Sequence, residues 1–319
     1  MLGYIIRRVL QAVVVVLGVV FIVFLLSKLI PGGEAAAALG PRRTHLQVAN
    51  FNRVNGLDLP IYDQFWRYLW GLFWHHYLGY SFKNNEGVNE LIGQRLPKTL
   101  TLVGVSTLVA LIIAVPLGIL QVVKRHTVID YALTTLSFLF YAMPAFLLGF
   151  LLILFFCFDF HLFPVSPPIG SGAWTIVTDP RAFVLPVVTL SALTIASFSR
   201  YMRSSMMDAL TEDYIRTARA KGASNNRVLY GHALRNALIP ILTLIGLSLP
   251  AIASGALITE TVFNYPGMGL LTVTSAASDD IPTILGATLV ITIFTVIGSL
   301  LADILYAIAD PRIRLGSTS

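Results

Sequence analysis

Long apolar runs alternate with short polar stretches along most of the chain. A helix needs about 20 residues to cross a hydrocarbon core of about 30 Å. Runs of that order occupy residues 9–30, 99–123, 129–158, 183–201, 239–258 and 284–307. They predict an all-α polytopic membrane protein of about six transmembrane helices. The third run is the longest and carries Pro144, which predicts a kink or a tilt within it.

The polar stretches give the runs a direction. Arg7 and Arg8 precede the first run, and Lys124 and Arg125 separate the second from the third. Arg200, Arg203, Arg216, Arg219, Lys221, Arg227 and Arg235 follow the fourth, and Arg312 and Arg314 follow the sixth. All four clusters fall on one side of the membrane, which the positive-inside rule makes cytoplasmic, with both termini there. On the outer side, Glu260, Asp279 and Asp280 are expected at the hydrated interface. Arg7 and Arg8 ahead of an apolar run imitate a signal peptide, but the run exceeds the roughly 7–15 residues of a signal core and reads as a retained anchor.

The chain therefore divides into an N-terminal transmembrane helix (1–30), an extracytoplasmic segment (31–98), a membrane core (99–314) containing a polar loop (203–238), and a short tail (315–319). The outer segment is densely aromatic from Phe65 to Trp74. Two readings stay open: a helix anchored at the headgroups, or a contact surface for an external partner.

Composition excludes other classes. The chain is 56% hydrophobic and 12% charged, against about 25% charged in soluble domains. Its net charge of +6 is spread over short loops rather than gathered into a stripe for nucleic acid. The single cysteine, Cys157, supports neither a disulfide framework nor a cysteine metal site. His75 and His76 are adjacent, not at the i, i+4 spacing that puts two ligands on one helical face. No HExxH motif and no glycine-flanked serine beside a histidine suggests a catalytic centre, and no G-x-x-x-x-G-K-[ST] phosphate loop occurs. Energy from ATP would have to come through another chain. Asp303 is expected to be structural, paired with Arg312 or a backbone donor. Pro116, Gly118, Met143, Pro144, Pro186, Ser191 and Ser199 break the apolar runs; they suit helix packing in lipid, and a few could line a polar path.

The most informative stretch is 212–240. Glu212 and Asp213 open a short helical pattern and Arg219 and Lys221 close it, as the helix dipole favours. Gly222 follows where a left-handed cap belongs. A short helix standing clear of the bilayer is a docking element for something soluble; the alternative is a solvated basic loop that only sets topology.

This stretch resembles the coupling motif of the inner-membrane permeases of ATP-binding-cassette importers. Against the general Glu-Ala-Ala-x-x-x-Gly form only Ala218 and Gly222 match, and Arg235 stands where that form has proline. Residues 213–222 with 232–237 instead resemble the "B"-type subunit of the dipeptide/oligopeptide/nickel branch. So do residues 4–8, Leu29-Ile30-Pro31-Gly32, Leu78-Gly79-Tyr80-Ser81-Phe82, the stretch from Glu260 to Gly269, and Asp303-Ile304-Leu305-Tyr306-Ala307 with 310–314. Gly33 and Glu34 depart from the branch.

The resemblance implies a type I importer permease fold with a cytoplasmic coupling helix, in a bacterial or archaeal cytoplasmic membrane. It implies that Asp213, Tyr214, Ile215, Arg216, Thr217, Ala218, Arg219, Lys221 and Gly222 couple to an ATPase. It further implies a homologous "C"-type permease, two cytoplasmic ATP-binding subunits holding ATP and magnesium, an extracytoplasmic binding protein, and no cofactor in this chain. The implied cargo is di- or oligopeptides, with nickel, glutathione or another small solute as the alternative within the family. A multi-span membrane enzyme is the rival outside it.

Overall fold

The computed structural model describes residues 2–309 except 31, 41, 169, 171, 174, 255 and 256, with side chains except at 2–5, 177, 243, 246–254 and 302–309. Among the described residues the regular structure is helical apart from one two-stranded hairpin. Helix α1 (Leu2–Ser27) is the first span. The segment that follows it contributes α2 (Gly33–Leu39), α3 (His45–Asn55), α4 (Ile61–His75) and the antiparallel pair β1 (Tyr80–Ser81) and β2 (Glu86–Gly87). The core follows: α5 (Val88–Val123), α6 (Val128–Ala142), α7 (Ala145–Ile153), α8 (Thr175–Thr178), α9 (Arg181–Thr211), α10 (Asp213–Ala220), α11 (Leu234–Ser254), α12 (Leu257–Val262), α13 (Met268–Ala277) and α14 (Ile281–Ala309).

Among the described residues α1, α5, α9 and α14 are each long and apolar enough to cross a membrane, and α6 with α7 forms a bent pair that makes a fifth if the pair is one broken span rather than a re-entrant loop. Helix α11 holds most of the run expected as another. The bend is 102°. Met143 is extended (ψ 126°) and Pro144 follows at φ −60°, ψ 135°. A proline forces its predecessor out of the helical region, so the expected kink is a complete break. Beyond α7 the chain continues as a π-helical turn, Leu154–Asp159.

Two helices are longer than their apolar runs. Helix α5 has 36 residues and begins at Val88, eleven residues before its apolar run opens at 99. Its first turns carry Glu90, Arg95 and Lys98, which hydropathy reads as loop. Val88, Leu91 and Ile92 nevertheless form one buried face against Leu78, Met268 and Leu289, and that packing continues the helix. Likewise α9 extends to Thr211, past the expected end at 201, because Met202, Met206 and Ala209 are buried. Arg200 and Arg203 therefore lie on a helix rather than in a loop. Helices α5 and α9 pack along much of their length, and Ser191 Oγ donates to the Ser106 carbonyl at 3.2 Å between them.

Helix α4 is amphipathic. Phe65, Tyr68 and Leu72 pack toward α1 and α14, while Trp66, Trp70, Phe73 and Trp74 face outward. The Trp70 and Trp74 rings stack with centroids 4.3 Å apart. Burial pushes the Tyr68 phenol up to about 12. An exposed aromatic face of this kind serves either reading, the headgroup anchor or the contact surface.

Candidate functional site

The polar loop expected at 203–238 is mostly helical. Helix α9 ends at Thr211, α10 follows at once, and a π-helical turn, Arg227–Ala233, leads into α11. Ile215 anchors α10. It is fully buried in a cluster with Met202, Met206, Ala209, Val228 and Ala233, drawn from α9 and the turn before α11. Ile215 thus points inward and is not part of the exposed surface.

Every other named position is exposed or half-exposed. Asp213, Tyr214, Arg216, Thr217 and Arg219 lie on the outer face, with Ala218 half-buried among them. Arg216 Nη1 lies 3.4 Å from Asp213 Oδ1, but both side chains are well solvated, so the pair adds little stability. The Thr217 hydroxyl donates to the Asp213 carbonyl at 3.0 Å. Tyr214, Thr217, Lys221, Gly222, Arg227 and His232 border an open hollow of about 450 Å³.

The end of α10 is built as expected. Gly222 has φ +82°. Its amide donates to the Arg219 carbonyl at 2.9 Å, and the Ala223 amide donates to Ala218 at 3.1 Å. This pair of bonds is a Schellman closure, which needs a left-handed residue and so favours glycine.

The same end of the bundle holds a polar cluster that sequence reasoning missed. Asp130, in the first turn of α6, is 2% exposed. Its Oδ2 accepts from Arg203 Nη2 at 3.0 Å and from the His126 amide at 3.2 Å. Gln121 Nε2 reaches Thr134 Oγ1 at 3.4 Å. The cluster ties α5, α6 and α9 together just before α10. A carboxylate at the start of an apolar run was the available signal; its partner lies 73 residues on.

At the opposite end, Glu260 and Asp280 correct the expectation of hydrated carboxylates: both are buried, and only Asp279 of the three is exposed. Glu260 Oε1 accepts from Thr99 Oγ1 at 2.7 Å, and Oε2 accepts from the Gly269 and Leu270 amides at 2.7 and 3.1 Å. Thr99 Oγ1 in turn accepts from the Met268 amide at 2.8 Å. Together they satisfy the free amides that open α13, where the helix dipole favours an anion. Burial pushes the Glu260 carboxyl above the usual glutamate range, and the donors from Thr99, Leu270 and Gly269 pull against that shift. A Cβ on Gly267 would collide with the Glu260 carboxylate, and one on Gly269 would sit 2.6 Å from Leu257 Cα. The Pro266-Gly267-Met268-Gly269 sequence is thus the space that lets Glu260 reach the backbone. Asp280 accepts from Ser81 Oγ at 2.5 Å and Thr283 Oγ1 at 2.7 Å, pinning the hairpin to α14. The expected Asp303–Arg312 pairing lies outside the described side chains.

A helical bundle of membrane-spanning length, carrying one short exposed helix on an apolar anchor, defines a polytopic membrane protein with a surface suited to docking. Residues 108–315 match the family described as binding-protein-dependent transport system inner membrane component. Residues 1–103 match the N-terminal membrane component of such systems. The chain belongs to this family. It is 38% identical over 320 residues to the oligopeptide transport system permease protein AppB of Bacillus subtilis, covering 98% of this chain and all of that one. It is 32% identical over 340 residues to the dipeptide transport system permease protein DppB of Escherichia coli, covering 98% and 99%. It is 37% identical over 325 residues to the probable D,D-dipeptide transport system permease protein DdpB of Escherichia coli, covering 95% of each. The chain is a permease subunit and not an enzyme.

Proposed function

We propose that this chain is the "B"-type permease of an ATP-driven importer that passes di- and oligopeptides delivered by an extracytoplasmic binding protein. The observation that carries the coupling half of this reading is α10, an exposed basic helix fixed through Ile215 to the ends of two spans. Similarity over nearly the whole chain to peptide permeases carries the substrate half.

The chain holds no phosphate loop, so two partner subunits bind ATP and magnesium on the cytoplasmic side, where both termini lie. A homologous "C"-type permease completes the membrane unit in a prokaryotic cytoplasmic membrane. Asp213, Tyr214, Arg216, Thr217, Ala218, Arg219 and Lys221 form the surface that seats in an ATPase cleft. Gly222 sets the turn behind it, and Ile215 passes its displacement to α9 and α11. Helix α9 is unbroken over 31 residues, about 46 Å at the helical rise, so motion of α10 reaches the far side of the bilayer. Alternating access then requires the ATP-bound dimer to favour the outward state and the released state to favour the inward one.

The test is reconstitution of the full complex in vesicles with its binding protein. ATP-dependent uptake of a labelled dipeptide is the expected result. Uptake of nickel with no uptake of any peptide would replace peptide by metal as the cargo.

A further inference from the structure

Arg200 is a guanidinium within a spanning helix. Eleven residues separate it from Thr211, the last of α9, or about 16 Å along the helix. An arginine this close to a membrane surface ordinarily snorkels toward the headgroups. This one does not. Its Cζ lies 4.6 Å from the centroid of Phe138 and 4.7 Å from that of Tyr141. Those rings stand eight and eleven residues beyond Asp130 on α6, about 12 and 16 Å further from the basic end. Arg203, one turn away, takes Asp130 instead. Among the described residues no carboxylate lies within ion-pair distance of Arg200, and its contacts are the two ring faces.

A second feature lies on the same element. The chain leaves the helix two residues past Tyr141, at Met143 and Pro144, and Pro144 is exposed. Non-helical backbone at membrane depth is tolerated only where protein covers it or water reaches it. An uncompensated arginine has the same requirement. Both place this edge of α6 and α9 away from lipid, on a wet route or against another subunit. Phe138 and Tyr141 are themselves 52% and 59% exposed, so the cradle is open.

We propose that Arg200, held between Phe138 and Tyr141, receives the terminal carboxylate of a peptide in transit, an inference that rests on the peptide reading above. The guanidinium supplies paired donors that match a carboxylate. The aromatic faces keep it charged and oriented without a fixed counter-ion that the substrate would have to displace. The contact is a hydrogen-bonded ion pair, so release breaks no covalent bond.

The experiment uses the reconstituted complex, with the binding protein loaded to equal occupancy with a labelled dipeptide or with its C-terminal amide. Wild type should move the free acid faster. Arg200→Gln should lower uptake of the acid about tenfold, the worth of one charge-assisted hydrogen-bonded pair, and should change uptake of the amide little. Arg200→Lys should recover part of the acid's rate. Co-purification of all subunits is measured on each variant. Equal loss for acid and amide, no loss for either, or loss of a permease subunit from the Arg200→Gln complex would each overturn the inference, the last by making Arg200 a subunit contact. Failure of wild type to move either peptide sinks the peptide reading itself and is distinguishable from all three.

Discussion

At the scale of single residues, the chain's special positions are places where one atom's absence or one charge decides a local geometry. Gly222 is one. A valine there would hold a β-branched side chain at a positive φ, costing on the order of 1–2 kcal/mol, and the closure behind α10 would relax. Gly222→Val is expected to insert and assemble normally while ATP-dependent uptake collapses, read by uptake against membrane content of the subunit; unchanged uptake would mean that the turn does not position the helix. Glu260 is the other. Its removal orphans a buried hydroxyl, a buried amide and a part-buried amide, at about 1–3 kcal/mol for each buried donor left unsatisfied. Glu260→Ala should therefore lower the melting temperature of the purified complex by several degrees, a loss that Asp279→Ala, on an exposed side chain, should not share.

At the scale of elements, the cap of α10 was legible because it is written in adjacent residues: acids first, bases last, glycine after. The spans were legible because lipid demands unbroken apolar runs. The extensions of α5 and α9 were not, since a hydropathy window weighs Glu90 or Arg203 without knowing which face of the helix each occupies. Nor were Glu260 with Thr99, or Ser81 with Asp280, whose partners lie 161 and 199 residues apart. Burial of those carboxylates is a tertiary fact. Ile215 shows the same limit inside a motif that was found: its place in the coupling stretch did not reveal that it faces inward. The outward residues carry a separate prediction. Arg216→Glu with Lys221→Glu changes the charge of α10 and its C-cap residue by four while leaving the Ile215 anchor and Gly222 untouched. Recovery of the ATP-binding subunits on purification should fall, and more so at low salt than at high, where screening weakens the repulsion. Full recovery at every salt concentration would mean that α10 is not the dock.

At the scale of the molecule, the proposed function depends on which side of the membrane each end faces. The structure has a basic end, with Lys124, Arg125 and α10, and an opposite end with the tryptophans of α4, the hairpin and the Glu260 network. The positive-inside rule puts the first in the cytoplasm. An impermeant thiol reagent tests this in intact cells, given positions that are exposed. Ser81 is unsuitable, because it is fully buried and bonded to Asp280. Lys83, two residues on in the hairpin turn, is exposed, and Ser224 is exposed between α10 and α11. The native Cys157 is buried and is best replaced by alanine in the background. Lys83→Cys should label in spheroplasts, and Ser224→Cys should label only after the membrane is opened. The reverse pattern would place α10 outside, beyond the reach of any cytoplasmic ATPase, and would leave the coupling proposal without a partner.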